Sequence, residues 1–559
     1  MDPVSIIGLI LTCCQVGEKV VQLCRNLANV NSQIQERSLT IESYWHTSKL
    51  QLDLLRRIES VLDDDLCGLL DGLLLQLSQK LSKADTAVDK VTNRHSRGRT
   101  GLWGFGSKAQ KMTCAWKMGA LDQIISDLDT WHRRFDPLWF MVMKTANPLV
   151  DAALARSQSA NDDRSNGRAI SVAKNPLTVA AGMRHVLYPS ANRLKPRFLA
   201  GVRMEMSEIP LSEAKKGFME SERKWYIIDT VQVGSFARAR NVLDDVSMLA
   251  VKLAQADPFA FGLLNCKGVI PVQSQLIGSS ASSPSSSPAR SRLNYSSFQL
   301  VFRLPENLSV LQSLRQLLLN SDEHVSLSRK MRIARELAKA IHYVHTFAFV
   351  HKNVRPESIL CFENNEGASR SNAFLVGFDA FRAAGGGTMM SGDISWERNV
   401  YRHPSRQGFD PAEKYRMQHD IYSLGVCLLE IGFWESFVEY STEEENSGRP
   451  RTNFGRTYYH FEKWLDERKI GAGEDSIAIT FNALALSLKG YLVEQASTRL
   501  APRMGDRYAQ VVLSCLTCLD EENEEFGGSG SETEDVGEDT VALCFAEKIL
   551  SDLDQLSMV

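Results

Sequence analysis

The chain has 559 residues, 43% of them hydrophobic and 23% charged, with a formal net charge of -3. This composition suits several globular domains and excludes a general electrostatic attraction to nucleic acid. Eleven cysteines, including adjacent Cys13 and Cys14, give no paired framework, and no signal-peptide pattern opens the chain, so a reducing, cytoplasmic setting is expected.

Ile6, Ile10, Cys13, Gly17, Val20, Cys24 and Leu27 step by fours and threes, the seam of a bundle helix. Residues 4–11 are apolar on nearly every face, which suits either a central bundle helix or one that enters a membrane. No run reaches the roughly 18 apolar residues of an ordinary transmembrane helix. Three further stripes predict three more helices: Ile41, Trp45, Leu52, Leu55, Ile58 and Leu62; Leu70, Leu74, Leu77, Leu81, Ala84, Val88 and Val91; and Leu121, Ile124, Leu128, Trp131, Phe135 and Leu138. An all-α bundle over residues 1–150 follows.

The stretch 92–116 contains Arg94, Arg97, Arg99, Lys108 and Lys111, no acid, and Trp103 among glycines. It reads either as a solvated loop or as a contact with anionic lipid, where basic residues and an interfacial tryptophan both contribute. The opening Met1-Asp2-Pro3-Val4 with its apolar helix, and the segment 135–140, resemble the HeLo-type and HeLo-like N-terminal domains of fungal incompatibility and immune proteins. The resemblance implies membrane damage and regulated cell death, with an anionic membrane surface or self-association through the bundle as partners.

Residues 151–174 are expected to form a flexible linker, because 156–168 is polar and unpatterned. A second domain is expected from residue 175. Trp225–Val233 reads as a strand with no lysine inside it, residues 175–260 hold no Gly-x-Gly-x-x-Gly loop, and the helix expected over Asn241–Ala256 has no glutamate. A Ser/Pro insert at 278–291 precedes a strand over Phe298–Pro305, then a helix through Leu311, Leu314, Leu317 and Leu318.

Residues 350–360 read Val-His-Lys-Asn-Val-Arg-Pro-Glu-Ser-Ile-Leu, preceded by a helix with Leu327, Met331, Ala334, Ala338 and Ile341 on one face. Downstream come Gly377-Phe378-Asp379, Tyr401-Arg402-His403-Pro404-Ser405, and His419-Asp420-Ile421-Tyr422-Ser423-Leu424-Gly425. In this order the segments resemble the catalytic loop, the metal-binding motif, the end of the activation segment and the long buried helix of protein kinases. The resemblance implies an α+β two-lobed protein kinase-like domain, with a small lobe over 175–305 and a large lobe over 306–556. Its degenerate site counterparts are His351, Asn353, Arg355, Ser358 and Gly377.

An amide is no base near neutral pH, so Asn353 is able to orient a hydroxyl but not to take its proton. Magnesium needs hard oxygen ligands, which Ser358 and Gly377 supply poorly. Asp379, two residues late, is expected to point elsewhere. Asp420 is retained, and the resemblance implies that it accepts backbone hydrogen bonds from the catalytic loop. Ser405 stands where the family has a glutamate.

Ten acidic residues in 520–540 predict a disordered loop, after which Val541, Phe545, Ile549, Leu553 and Leu556 predict a docked helix. Cys515 and Cys518 lack partner ligands for a closed zinc site and read as core.

The sequence thus predicts a multidomain chain in which a pseudokinase regulates a helical effector, the layout shared by mixed-lineage kinase-like pseudokinases of animals. No cofactor is expected, and any ATP affinity left between the lobes is expected to be weak and metal-independent. Other signalling proteins are the expected partners, with no nucleic acid, and membrane recruitment is the expected departure from the cytoplasm. An atypical active kinase and a purely structural adaptor are the alternatives.

Overall fold

The structure is a computed structural model. It describes residues 6–27, 32–97, 108–145, 147–162, 176–187, 196–199, 201–233, 239–254, 256–273, 295–305, 308–320, 325–364, 372–383, 393, 395–408, 411, 413–444, 450–470, 481–523, 526 and 538–556. They divide into a helical unit, residues 1–192, and an α+β unit, residues 193–559.

The helical unit contains α1 (Ile6–Leu27), α2 (Ser32–Ile58), α3 (Asp64–Arg97), α4 (Lys108–Lys144), α5 (Pro148–Asp162) and α6 (Pro176–Leu187). Helix α1 lies on α2 and α3, and both of these lie on α4. Most of the expected stripes are buried: Ile6, Ile10, Cys13, Val20 and Cys24 of α1 and Leu70, Leu74, Leu77 and Leu81 of α3 are buried in helices that pack together, whereas Leu62 falls beyond α2 and is half-buried. Trp131 stacks on Phe135 at 4.5 Å and its indole N–H donates to the Leu73 carbonyl at 3.0 Å, so the large aromatic is buried with its polar edge satisfied.

Helix α1 is also long and apolar enough to cross a membrane by length and composition. A core helix passes the same test, because burial against α2 and α3 asks for the same residues.

Gly17 fixes the approach of α1 to α2: a Cβ there would lie 2.2 Å from the Trp45 ring. Gly17→Ala is therefore expected to destabilise the helical unit by about 1–3 kcal/mol through overpacking. A thermal melt of the full chain that leaves the helical transition unmoved would contradict this.

Two expected boundaries move. Helices α3 and α4 extend into the stretch expected as a basic loop, so Arg94 and Arg97 lie on α3 and Lys108 and Lys111 on α4. The side chains of these four, together with all of Arg99 and Trp103, lie outside the described residues.

Helices α5 and α6 take up parts of the expected linker and small lobe. Buried Arg184 of α6 explains why they join the bundle. It donates to the Met143 and Thr145 carbonyls at 2.8 Å, capping the end of α4, and it pairs with Asp151 of α5 at 2.6 Å.

The α+β unit opens with β1 (Met204–Glu208), β2 (Lys215–Met219), β3 (Lys224–Gln232), α7 (Ala239–Ala254), α8 (Pro258–Phe261), β4 (Cys266–Gln273) and β5 (Tyr295–Arg303). The strands form one antiparallel sheet in the order β1-β2-β3-β5-β4. Tyr226 and Ile228 join Leu199, Met219 and Val301 in the core on one face. By the two-residue period, Ile227, Asp229 and Val231 lie on the other.

Next come β6 (Leu308–Ser313), α9 (Leu314–Leu319), α10 (Leu327–Thr346), β7 (Phe349–Val350), β8 (Ile359–Asn364), β9 (Asn372–Leu375), β10 (Arg382–Ala383), α11 (Trp396–Asn399) and α12 (Met417–Phe433). Leu311, expected in a helix, sits in β6 opposite Phe362 of β8. The helix starts only at Leu314, where the Ser313 side chain accepts the Gln316 N–H.

Every residue of α12 is buried, and α10 and the helix Asp506–Leu516 flank it. The expected terminal helix runs over 538–556, with Val541, Phe545, Ile549 and Leu553 buried, and it starts within the expected acidic loop 520–540. Asp520, at the loop's start, is paired with Lys489. The rest of that loop outside 520–523, 526 and 538–540, and all of the Ser/Pro insert 278–291, lie outside the described residues.

Candidate functional site

Residues 351–358 run between β7 and β8, and the chain from β9 brings 377–379 against them. Asp420, 0% exposed near the start of α12, fixes the first part of this loop. Its carboxylate accepts the backbone N–H of His351 at 2.7 Å and of Lys352 at 2.9 Å, the Tyr415 hydroxyl at 2.7 Å and His345 Nε2 at 3.2 Å. Burial alone would raise its pKa, but the His345 hydrogen bond and the neighbouring histidines outweigh that and hold it at about 2. His351 is fully buried, its ring 4.8 Å from that of Phe378, and burial lowers its pKa to about 4.

Both ends of the Asn353 amide are engaged. Arg355 Nε donates to its Oδ1 at 2.8 Å, and its Nδ2 donates to Asp379 Oδ1 at 2.8 Å and to the Gly377 carbonyl at 3.2 Å. Asp379 does not point elsewhere: it returns to the loop, because Gly377 turns the backbone at φ +83°. A Cβ at Gly377 would lie 2.7 Å from Ser358 Cβ, so this backbone leaves no room for a carboxylate at that position. The Ser358 hydroxyl bonds within the loop, 2.7 Å from the Asn353 carbonyl and 2.8 Å from that of Arg355. This donor set does not fit a magnesium ion, since Gly377 offers no side-chain oxygen and the Ser358 hydroxyl holds the backbone.

Two acids that the sequence reading missed complete the site. Glu213, on the turn between β1 and β2, pairs with Arg355 and, at 2.9 Å, with Arg398 of α11. That turn is held down by Ser212 Oγ, which donates to the Glu357 carbonyl at 2.9 Å, and its backbone passes through Leu211 at φ 52°. Asp229 of β3 is 2% exposed, and its Oδ2 accepts the N–H groups of Gly377 at 2.6 Å and Phe378 at 2.8 Å. Burial, then the charge of Asp379, raises its pKa to about 7. Asp379 is raised to about 6 by burial and by Glu213, with Arg355 and Arg398 opposing. The signal for Asp229 was present in the sequence: one acid inside an apolar strand needs a buried partner.

Ser405 Oγ lies 2.8 Å from His403 Nδ1 and 3.2 Å from His419 Nε2. Burial lowers both histidines, to about 2 and about 3. Beneath the site lies a second buried group, also missed. Arg315, 0% exposed, bonds Glu357 at 3.0 Å, Glu430 at 2.9 Å, Tyr401 and Ser436. Cys515 and Cys518 are buried, and among the described residues no group of three or more possible metal ligands converges.

No family model matches the chain. Over 124 residues it is 31% identical to a serine/threonine-protein kinase-like protein of Arabidopsis thaliana, a match that covers 22% of this chain and 33% of that protein. The chain thus spans a third of that relative's length; the match supports a kinase-like region, and the α+β unit is compatible with it.

Proposed function

We propose that the α+β unit is a pseudokinase, a kinase-like regulator without phosphotransfer, and that the helical unit is the HeLo-type effector it controls in a fungal incompatibility, cell-death or immune-type pathway. The observation that carries the first part is the state of Asn353. It stands where a kinase has its base, is no base itself, and has both ends of its amide held by Arg355 and Asp379. The strand that supplies a kinase's phosphate-gripping lysine has buried Asp229 turned toward the site instead. Glu213 also takes up Arg355 and Arg398, so these two cations are already paired where a nucleotide's phosphates would need them.

The effector part is supported by the helical unit and by the length and apolarity of α1. It includes recruitment from the cytoplasm to an anionic membrane through Arg94, Arg97, Arg99, Lys108, Lys111 and Trp103.

The experiment for the regulator part is thermal melting of the full chain with ATP, with and without magnesium. The expected shift is at most small and the same in both series. A magnesium-dependent rise of several degrees would contradict the proposal.

One observation favours an atypical active kinase. Asp379 is the carboxylate nearest the Asn353 amide, and its raised pKa of about 6 suits a base near neutral pH. Asp379→Asn separates the two readings, since it would abolish transfer only in an enzyme.

A further inference from the structure

The bond between Asp229 and the 377–378 backbone joins the five-stranded sheet to the loop beneath it through a single buried carboxylate. Its two donors are neutral amides, and among the described residues no cation pairs with it. The charged groups that face it are acids: Asp379 on the loop it holds, and Glu213 on the β1–β2 turn. Its ladder neighbour on β5 is Leu300, which brings no charge. Helix α7, over β4 and β5, carries Asp245, which accepts from the backbone of Ala383, and Lys252, which donates to the Phe347 carbonyl. Arg355 and Arg398 are engaged with Glu213. His351 approaches from below through Phe378.

We infer that Asp229 is a proton-operated latch: protonated, it ties the 377–379 loop to the sheet, and ionised, it faces Asp379 and Glu213 without a cation and lets the loop go. The inference rests on reading this loop as the closed, non-catalytic site, and it gives that site a regulator. A protonated carboxyl keeps its carbonyl oxygen as acceptor for both N–H groups, so closure survives protonation. Burial and the charges of Asp379 and Glu213 raise the pKa of Asp229 to about 7 in the closed site, outweighing the two backbone N–H bonds, which favour the charged form.

The sign follows from linkage. The closed state holds the proton and the open state releases it, so opening grows as pH rises toward the closed-state pKa and levels off above it. His351 acts in the opposite direction, because its pKa is lowered in the closed state and its protonation would favour opening as pH falls.

Amide hydrogen exchange of the full chain, read by mass spectrometry on the peptide covering 377–379 and corrected for intrinsic exchange, tests the latch. Protection is expected to fall as pH rises from about 5 to 7, by up to the tenfold per pH unit that one released proton requires, with His351 reducing the slope below about pH 6.5. Asp229→Asn keeps a carbonyl acceptor and loses the titration, so its protection should be flat over that range. Should that variant fail to fold, Asp379→Asn removes the neighbouring charge and should shrink the fall. Flat protection in the parent, protection that rises with pH, or the same fall in a folded variant would overturn the latch. Labelled phosphate on the parent would overturn the pseudokinase reading and leave the exchange result standing.

Discussion

Replacing Arg315 with alanine is expected to lower the stability of the α+β unit by about 3–5 kcal/mol, the usual cost of removing one partner from a buried ion group. Its guanidinium lies between Glu357 and Glu430, both buried, and also bonds the Tyr401 hydroxyl. Burial alone would raise the pKa of Glu357, but Arg315 and Arg355 outweigh it and hold the group at about 2. Without Arg315 two carboxylates would remain in the interior. Arg315 also donates to the Ser436 hydroxyl, so the turn after α12 would lose that anchor while Glu430 keeps the Phe437 N–H. Lysine should restore only part of the loss, since one ammonium does not reproduce a guanidinium that meets several partners at once. Urea denaturation checks this: an unchanged midpoint for Arg315→Ala would show that the group contributes nothing.

The second large effect is expected at Asp420. Alanine there would leave the N–H groups of His351 and Lys352 and the Tyr415 hydroxyl without their acceptor, at about 1–3 kcal/mol for each buried donor. Because the pKa of Asp420 is lowered to about 2, its contribution is present above the ordinary carboxylate pKa near 4 and is lost as pH falls from there toward 2. Glu357 behaves alike. His351, His403 and His419 add an earlier loss, because each is held neutral in the folded chain and takes a proton on unfolding below about pH 6.5. Melting temperature against pH should therefore drop on the acid side, and Asp420→Ala should flatten its steepest part below pH 4. A variant that melts within a degree of the parent at every pH would contradict this role.

The four long helices of the first unit were legible because burial there follows the helical period, so that Leu70, Leu74, Leu77 and Leu81 state both the element and its inward face. Helices α5 and α6 were not, since what holds them is Arg184, and one arginine in a short segment carries no periodic signal. The loop 350–360 and its neighbours were readable from motif order. The contacts that decide its chemistry were less so, because Asp229 meets Gly377 across 148 positions of sequence and Arg315 meets Glu430 across 115. Asp379 was misplaced because residue counting ignores the turn that Gly377 makes at positive φ. Leu311 fitted the leucine spacing of a helix, yet pairing with β8 claimed it for a strand.

The most direct test of the central claim is transfer of labelled γ-phosphate from ATP with magnesium, measured on the purified full chain and on a generic protein substrate. No label above background is expected from the parent, and none from Asn353→Ala or Asp379→Asn. Label on the parent that disappears in Asp379→Asn would show a working base beside Asn353, and the α+β unit would then be an enzyme.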